Sequence, residues 1–499
     1  MGYRNPGDED LMVMIGRSPY IDVRNSFNSF LPAGLNMDSA ERLINAWIDR
    51  LDSHPELHDK VEFGIAQTVH DFCFDNQLRE RYPGILTSQQ FSTYKEELRQ
   101  LTMSCLDMSN ASTLQKALSD IADLEKNQAQ RDPFSGLDSE LDCAIRIKML
   151  IEECRQLGTL PFSVIARHAF IAESMLRSAV YRGALEFERL GQFRNTVSTI
   201  MKVMSHDLVK VITDKMEKKT FLHRYGHLRP GTYDVLSYRY DQREDMFDNI
   251  STSEQFVAST AYEFTPLEHK SVDLLLNEIS LDGVNSNHLL EYAKTAINSR
   301  EYSKFVFSKN LSDALEVMCL WGEKIGLSRE DISYIPVEEV LGVVSDPVLR
   351  GNIQYFNKVI QRNRSIEEKY RVLRLGYLIR DIRDVYVIPL HRSMPNFVTD
   401  CRLDEKVVFI NNRMGNHPDM SGRIICIENA DPGFDWIFSR SIAGLITKFG
   451  GSNSHMAIRC SELGLPAAIG CGEQTFERII LAGEVELNCA DKIVRPIYG

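Results

Sequence analysis

The 499 residues exceed what a single compact core holds, so two to four domains are expected. Hydrophobic residues at 43% and charged residues at 25% exclude a disordered or fibrous chain. Fifty-seven basic residues against 70 acidic ones leave a net charge of −13, which argues against a broad electrostatic grip on nucleic acid or on an anionic membrane surface.

The opening Met1-GYRNPGDEDLMVMIG has no basic segment followed by an apolar one, and no apolar run approaches the ~20 residues of a membrane span. A cytoplasmic setting is expected, with the ten cysteines, none in a CxxC pair, as reduced core residues. The alternating run Pro19-YIDVRNSFNSFLP predicts a strand that turns at Pro32 and Gly34. On such a strand Asp22 and Arg24 share a face. Residues 38 to 130 carry helical spacing, as in Ser39-AERLINAWIDRL, whose leading serine suits an N-cap. A second helical region at 138 to 220 contains Leu137-DSELDCAIRIKMLIEECRQLG and Ile165-ARHAFIAESMLRSAVYRGALEFERLG, each closed by a glycine suited to a helix C-terminus.

Turns interrupt at Tyr225-GHLRPGTYDVLSYRY, where Gly226, Pro230 and Gly231 break a charged, aromatic-rich stretch. Helical spacing resumes from 265 to 385, and after Pro389 short Val/Ile-rich runs such as Lys406-VVFI and Arg423-IICIEN alternate with turns. The fold class is therefore α+β and multidomain: a mostly helical N-terminal region (1–130), a helical central domain (131–390) and a small C-terminal β/β/α domain (391–499), with the main boundary near Pro395 and a hinge at 389 to 400.

The chemistry concentrates in Gly444-LITKFGGSNSHMAIRCSELGLPAAIGCG, which reads as strand, glycine-rich loop, helix, turn and strand. The loop delivers His455 to the start of a helix. Gly450 and Gly451 allow close approach of backbone amides to an anion, and the helix start adds the positive end of its dipole. A neutral imidazole is a good nucleophile toward phosphorus. Thr447, Ser452 and Ser454 are candidates to bond the other ring nitrogen or phosphate oxygens. No metal ligands are assigned.

The ordered set Thr447, Gly450, Gly451, Ser454, His455, Ala457, Ile458, Glu462, Leu463, Gly464, Pro466 and Ala467 resembles the phosphohistidine signature of the phosphoenolpyruvate (PEP)-utilising enzymes. Lys448 and Asn453 depart from it, standing where an acidic residue and a threonine are common. The resemblance implies a phosphohistidine swivel domain with His455 as phosphoryl acceptor. Forty-four residues follow His455, too few for the barrel that follows this domain in PEP synthase and pyruvate phosphate dikinase. A swivel domain so placed resembles rifampicin phosphotransferase and the L-glutamine kinase of capsule phosphoramidate synthesis.

Tyr225-GHLRPG is similar to a central motif of those phosphotransferases, and Pro19-YIDVRNSFNSFLP and Gly158-TLPFSVIARHAFIAE look like segments of synthase-like proteins found with surface-polysaccharide genes. Two readings stand for His227 and Arg229: acceptor-site groups, or a buried turn whose side chains tie loop backbone. Two stand likewise for Asp22 and Arg24: part of the same pocket, or a structural ion pair.

The resemblance further implies ATP and Mg²⁺, yet no Gly-rich phosphate loop with its lysine and metal carboxylates is recognisable. Both are therefore expected on a separate ATP-grasp domain or partner protein. The implied activity is a phosphotransferase acting on a small molecule, an amide such as glutamine or a surface-polysaccharide precursor. The alternative is a non-catalytic phosphocarrier, or a truncated or diverged member.

Overall fold

Helical spacing up to about residue 370 and short apolar strands after 395 translate into two kinds of architecture. The computed structural model describes all residues except 8–9, 17, 59, 197–199, 248–261, 371–374, 377, 387–394, 412–417, 452–453 and 498–499.

An exposed hairpin of β1 (Met12–Ile15) and β2 (Ser18–Ile21) leads into α1 (Val23–Asn28) and α2 (Met37–Ser53). Next come α3 (Phe74–Arg81), α4 (Ser88–Cys105) and α5 (Thr113–Ala129). α6 (Glu140–Glu153) and α7 (Leu160–Tyr181) are joined by a π-helical turn, Cys154–Thr159. α8 (Phe187–Thr196), α9 (Ile200–Ile212), α10 (Lys218–Tyr225) and α11 (Pro266–Glu278) precede the 39-residue α12 (Ser286–Lys324). α13 (Arg329–Ile332), α14 (Val337–Ser345) and α15 (Ile353–Tyr370) complete the helical part.

The strand expected from Tyr20 to Leu31 ends at Ile21. Asp22 turns the chain by capping α1, its Oδ1 accepting from Asn25 N at 3.0 Å. Side chains 22 and 24 therefore do not alternate on a strand face, and Arg24 donates to Asn45 Oδ1 at 2.9 Å.

In α2 the cap is Asn36, which accepts from Ser39 N, while Ser39 itself is buried. Ala40, Leu43, Ile44, Trp47 and Leu51 fill the core face. Each such leucine or isoleucine contributes ~1.5–3 kcal/mol.

Neither glycine expected to close a helix does so. Gly191 lies inside α8, and Gly158 sits in the π-turn because a Cβ there would stand 2.6 Å from Phe307 Cβ of α12. Gly183, at φ +73°, ends α7 instead. α12 packs against α5, α6 and α7, and one apolar cluster joins Leu101, Leu114 and Leu124 to Met175 and Leu290, so residues on both sides of 130 share a core.

The described α-helix reaches Tyr370, and only a 3₁₀ stretch, Ile382–Tyr386, lies near 385. The described residues from 375 run back along the N-terminal core, where Tyr20 OH donates to Gly376 O, Arg380 pairs with Asp52 at 2.8 Å and Leu378 packs on the cluster around Trp47.

The C-terminal domain is one sheet of seven described strands: β3 (Asn396–Val398), β4 (Arg402–Phe409), β5 (Ile424–Asn429), β6 (Gly444–Phe449), β7 (Ala467–Ile469), β8 (Glu484–Asn488) and β9 (Ile493–Pro496), in the order β3-β7-β6-β5-β4-β8-β9. The β4-β5-β6-β7 centre is parallel, which explains the unbroken apolar runs of β5 and β6. Alternate residues serve two layers. Ile424, Cys426, Ile446 and Ala468 face α17 (Glu473–Ala482). Ile425, Ile427, Leu445 and Ile469 face α16 (His455–Glu462), in a core that continues into Met204 and Leu208 of α9 and Tyr225 of α10. Of the stretch read as a hinge, 389–394 lies outside the described residues and 396–398 is strand paired with β7.

Candidate active site at His455

β6 and the loop after it deliver His455 to the first turn of α16. Ser454 is the N-cap, its Oγ accepting from Ala457 N at 3.3 Å. The imidazole lies at the positive end of this short helix. Its Nε2 is 2.7 Å from Oδ1 of Asp435, which belongs to the 3₁₀ stretch Pro432–Arg440. Arg459, one turn along α16, donates from Nε to the same oxygen at 3.1 Å and from Nη1 to Glu462 Oε2 at 3.1 Å. From the helical part, Ser205 Oγ of α9 donates to Asp435 Oδ2 at 3.4 Å and accepts from Arg459 Nη2 at 3.3 Å.

The network is largely buried: the His455 side chain is 8% exposed and that of Asp435 0%. Burial alone would lift the Asp435 carboxyl, but Arg459 and then His455 outweigh it and hold the group below the ordinary carboxylate range. An ionised Asp435 only accepts. In the neutral ring Nε2 therefore carries the proton, and Nδ1 is the unprotonated nitrogen.

The other expected site residues divide. Thr447 is fully buried, and its Oγ1 accepts from Gly470 N at 2.9 Å, so it braces the turn after β7 rather than the imidazole. Gly450, at φ +134°, is required by close packing, because a Cβ would meet Ala430 Cβ at 2.6 Å. Gly451 O accepts from Ser454 N. Ser452, like Asn453, lies outside the described residues. Lys448 points to α17, pairing with Glu473 at 3.1 Å, so its positive charge is answered away from His455.

Arg229 is 1% exposed at its side chain and fully used inside the fold, donating to Ser312, Ser237 O and Asp234 O and pairing with Glu316 at 3.0 Å. In this arrangement its guanidinium ties buried backbone and side chains. His227 is buried with its ring 4.8 Å from that of Phe305, and burial, with Lys309 and Arg239 next, pulls its pKa far down. Its ring makes no hydrogen bond of good geometry among the described residues, and the backbone of Phe305 is the polar group nearest to serving it. Asp22 and Arg24 bond to Asn25 and Asn45, not to each other or to His455.

The segment around Arg229 is instead the seat of the sheet domain. Thr232 Oγ1 donates to Asp431 Oδ1 at 2.9 Å, Tyr240 OH to Gly433 O at 2.7 Å, and the Arg243 guanidinium lies 4.4 Å above Trp436. Gly433 fits because a Cβ there would stand 2.0 Å from Arg229 O. Sequence reasoning missed Asp435, Arg459 and Ser205. The available signals were an acid inside the apolar run Phe434-Asp-Trp-Ile-Phe438, and an arginine four residues after His455 on the same helix face. His54/His58 and His223/His227 each show a four-residue spacing, but no group of three or more metal-ligating side chains gathers among the described residues.

Residues 419–491 match the PEP-utilising enzyme mobile domain. The matched range holds Asp435, Thr447, His455 and Arg459, so the resemblance extends beyond the signature around His455. Rifampicin phosphotransferase of Streptomyces sviceus is 25% identical over 287 residues, 52% of this chain and 32% of that protein. PEP synthases of Aquifex aeolicus and Escherichia coli are each 36% identical over 77 and 78 residues, covering 15% and 16% of this chain and 9% and 10% of theirs. The chain thus spans about a third of the length of the first relative and about a tenth of the synthases. The first match extends well beyond the mobile domain into the helical part, since it is far longer than 419–491.

Proposed function

We propose that His455 carries a phosphoryl group from a nucleotide donor to a small-molecule acceptor, with residues 391–499 moving as one unit between the two. The observation that carries this reading is the imidazole at the head of α16, inside the mobile-domain match and held by an ionised carboxylate. In the charging step the unprotonated ring nitrogen attacks phosphorus and the P–O bond to the nucleotide breaks, the leaving oxygen keeping the electron pair. In discharge an acceptor O–H or N–H group attacks the phosphoryl phosphorus and releases its proton to solvent, the N–P bond breaks and its electrons return to the ring. Asp435 opposes the positive charge that the ring gains in the first step and loses in the second.

By the family resemblance, Mg²⁺-ATP is proposed to bind on a separate ATP-grasp domain or partner. A glutamine-like amide or a surface-polysaccharide precursor is the proposed acceptor class. A cytoplasmic setting suits a nucleotide donor and ten unpaired cysteines, nine of them buried. No helix among the described residues is long and apolar enough to cross a membrane.

The test is intact mass and acid lability after incubation with Mg²⁺-ATP, alone and with an ATP-grasp protein. An acid-labile adduct of ~80 Da, one phosphoryl group on a nucleophilic imidazole, that is lost in His455→Ala is expected. An adduct that persists in His455→Ala, or none under either condition, overturns the reading.

A further inference from the structure

Cys401, in the turn between β3 and β4, is the one exposed cysteine of the ten. Its backbone lies opposite Cys489, just past the end of β8. The register of β4 and β8 pairs Leu403 with Leu487 and Arg402 with Asn488, and the next step outward sets Cys401 against Cys489. Cys489 N accordingly donates to Cys401 O at 3.0 Å.

This placement brings two sulfurs within reach of each other. Hydrogen-bonded opposite residues of an antiparallel ladder have Cα atoms about 5.5 Å apart, inside the window of about 4.4–6.8 Å that a disulfide spans. Leu403 and Leu487, two residues inward, both belong to the apolar layer under α17, and the strand period of two puts the side chains of 401 and 489 on that same face. Cβ atoms of opposite residues stand about 4.5–5.5 Å apart where a disulfide takes about 3.5–4.5 Å, so closure needs an inward movement of about 1 Å. The ladder is loose enough there. Cys401 N turns to Thr399 Oγ1 at 3.4 Å and Cys489 O accepts from Lys492 N at 3.3 Å, so a single backbone bond, rather than two, joins the pair.

The two thiols differ in a way that orders their chemistry. Cys401 meets solvent. Cys489 is 3% exposed, its Sγ donates to Ala467 O at 3.6 Å, and burial raises its pKa. An accessible thiol meets an oxidant first, and a covered neighbour resolves the product. Cys426, Cys460 and Cys471 of the same domain are buried.

We infer that Cys401 and Cys489 form a peroxide-sensitive modification site, a thiol pair that closes to a disulfide and reopens with a thiol reductant. The Cys401 thiolate attacks one oxygen of hydrogen peroxide, the O–O bond breaks, and hydroxide leaves and takes up the thiol proton as water. Cys489 then attacks the sulfenic sulfur of Cys401, the S–O bond breaks, and a second water carries off the Cys489 proton. Both sulfurs are oxidised and the peroxide is reduced to two waters. The bridge staples the turn by which the chain enters the sheet to the end of β8, and it stands apart from the phosphoryl chemistry at His455.

The full chain, reduced and freed of reductant, is treated with hydrogen peroxide, alkylated under denaturing conditions and digested. A 401–489 link within one chain is expected, with a mass about 2 Da below the reduced chain for the two hydrogens lost, and reversed by dithiothreitol. Cys401→Ser, at an exposed position, should keep Cys489 as a thiol. Cys489→Ala should leave a sulfenic acid at Cys401 that dimedone captures at least about tenfold more than in the parent, because resolution within one chain outruns capture from solution. If Cys489→Ala does not fold, the link in the parent and its loss in Cys401→Ser decide. A parent whose Cys401 advances to sulfinic or sulfonic acid while Cys489 stays a thiol overturns the inference. So does a link between the Cys401 residues of two chains, a loss of hydrogens that persists in Cys401→Ser, or no reaction with peroxide.

Discussion

Asp435→Asn isolates the charge of the carboxylate from its shape. His455 Nε2 and Arg459 Nε both bond to Oδ1, and Ser205 faces Oδ2, so the asparagine carbonyl can take the first place and its amide the second, donating to Ser205 Oγ. Geometry is kept; the negative charge is lost. Arg459 retains Glu462 at 3.1 Å, so the loss of stability should fall below the 3–5 kcal/mol of a stripped buried pair, at about 2 kcal/mol. The chemical effect is separate. A charge-assisted hydrogen bond to the ring is worth ~1.5–3 kcal/mol, and it matters as the ring becomes cationic, so phosphorylation should slow by about 10- to 100-fold. The assay is labelling with phosphoramidate, a small donor that needs no nucleotide site, followed by intact mass with His455→Ala subtracted as background for the other eleven of the 12 histidines. A folded Asp435→Asn protein labelled at the parental rate would refute the claim that the carboxylate activates His455.

Gly433→Ala should drive a methyl group into Arg229 O, 2.0 Å away, and unseat the mobile domain: hydrogen exchange at 229–243 and labelling of His455 should both quicken, with far-UV circular dichroism unchanged. Slow labelling in that variant would count against the docked state as the barrier. Gly158→Ala, with its Cβ 2.6 Å from Phe307 Cβ, should lower stability by about 1–3 kcal/mol, read as a lower urea midpoint at constant slope. His168 is fully buried between Thr113 Oγ1 and Tyr292 OH, and burial first, then the N-terminal charge, lowers its pKa from 6.5 to about 4. The unfolded chain binds that proton first, so this group's contribution is present above pH 6.5 and is lost as the pH falls toward 4, about 3 kcal/mol in all. A folded His168→Gln protein should show a shallower loss of stability over that window; an identical slope would assign the acid sensitivity elsewhere.

The parts of this protein that sequence could foretell are those fixed by local rules. Helical periodicity located α2, α6 and α7 and marked 38–130 and 265–370 as helical without resolving their elements, and the Thr-Gly-Gly-Ser-His order located the imidazole and its helix. What failed depended on a distant neighbour. Gly158 reads as a helix stop until Phe307 of α12 arrives against it, and the bond that Thr447 Oγ1 accepts from Gly470 N has no signal in the local sequence. Asp22 and Arg24 misled because an alternating pattern of four or five residues fits a strand end and a capped helix start equally well. Asp435 lies twenty residues before its partner with no spacing rule to join them, and Ser205 comes from another part of the chain altogether.

The docked arrangement also sets a limit on what a charged His455 can do. A phosphoryl group brings roughly two negative charges into a site where the imidazole is 8% exposed and Asp435 is fully covered. Arg459 cannot answer them freely, since it is already shared between Asp435 and Glu462. At about 4 Å and an effective dielectric near 20, one unit of repulsion costs about 4 kcal/mol. That outweighs any one of the hydrogen bonds, at about 1 kcal/mol each, that seat the domain through Thr232, Tyr240 and Ser205, and works against a seat that is also held by apolar contacts of Met204, Leu208 and Tyr225. Phosphorylated His455 is therefore expected to occupy this seat less of the time than the unmodified residue. Hydrogen exchange at α9 and 229–243 should be faster in the phosphorylated chain than in the unmodified one and should recover when the label is removed by mild acid. Equal protection in both forms would mean that the seat accommodates the phosphoryl group and that discharge, rather than undocking, follows from the docked state.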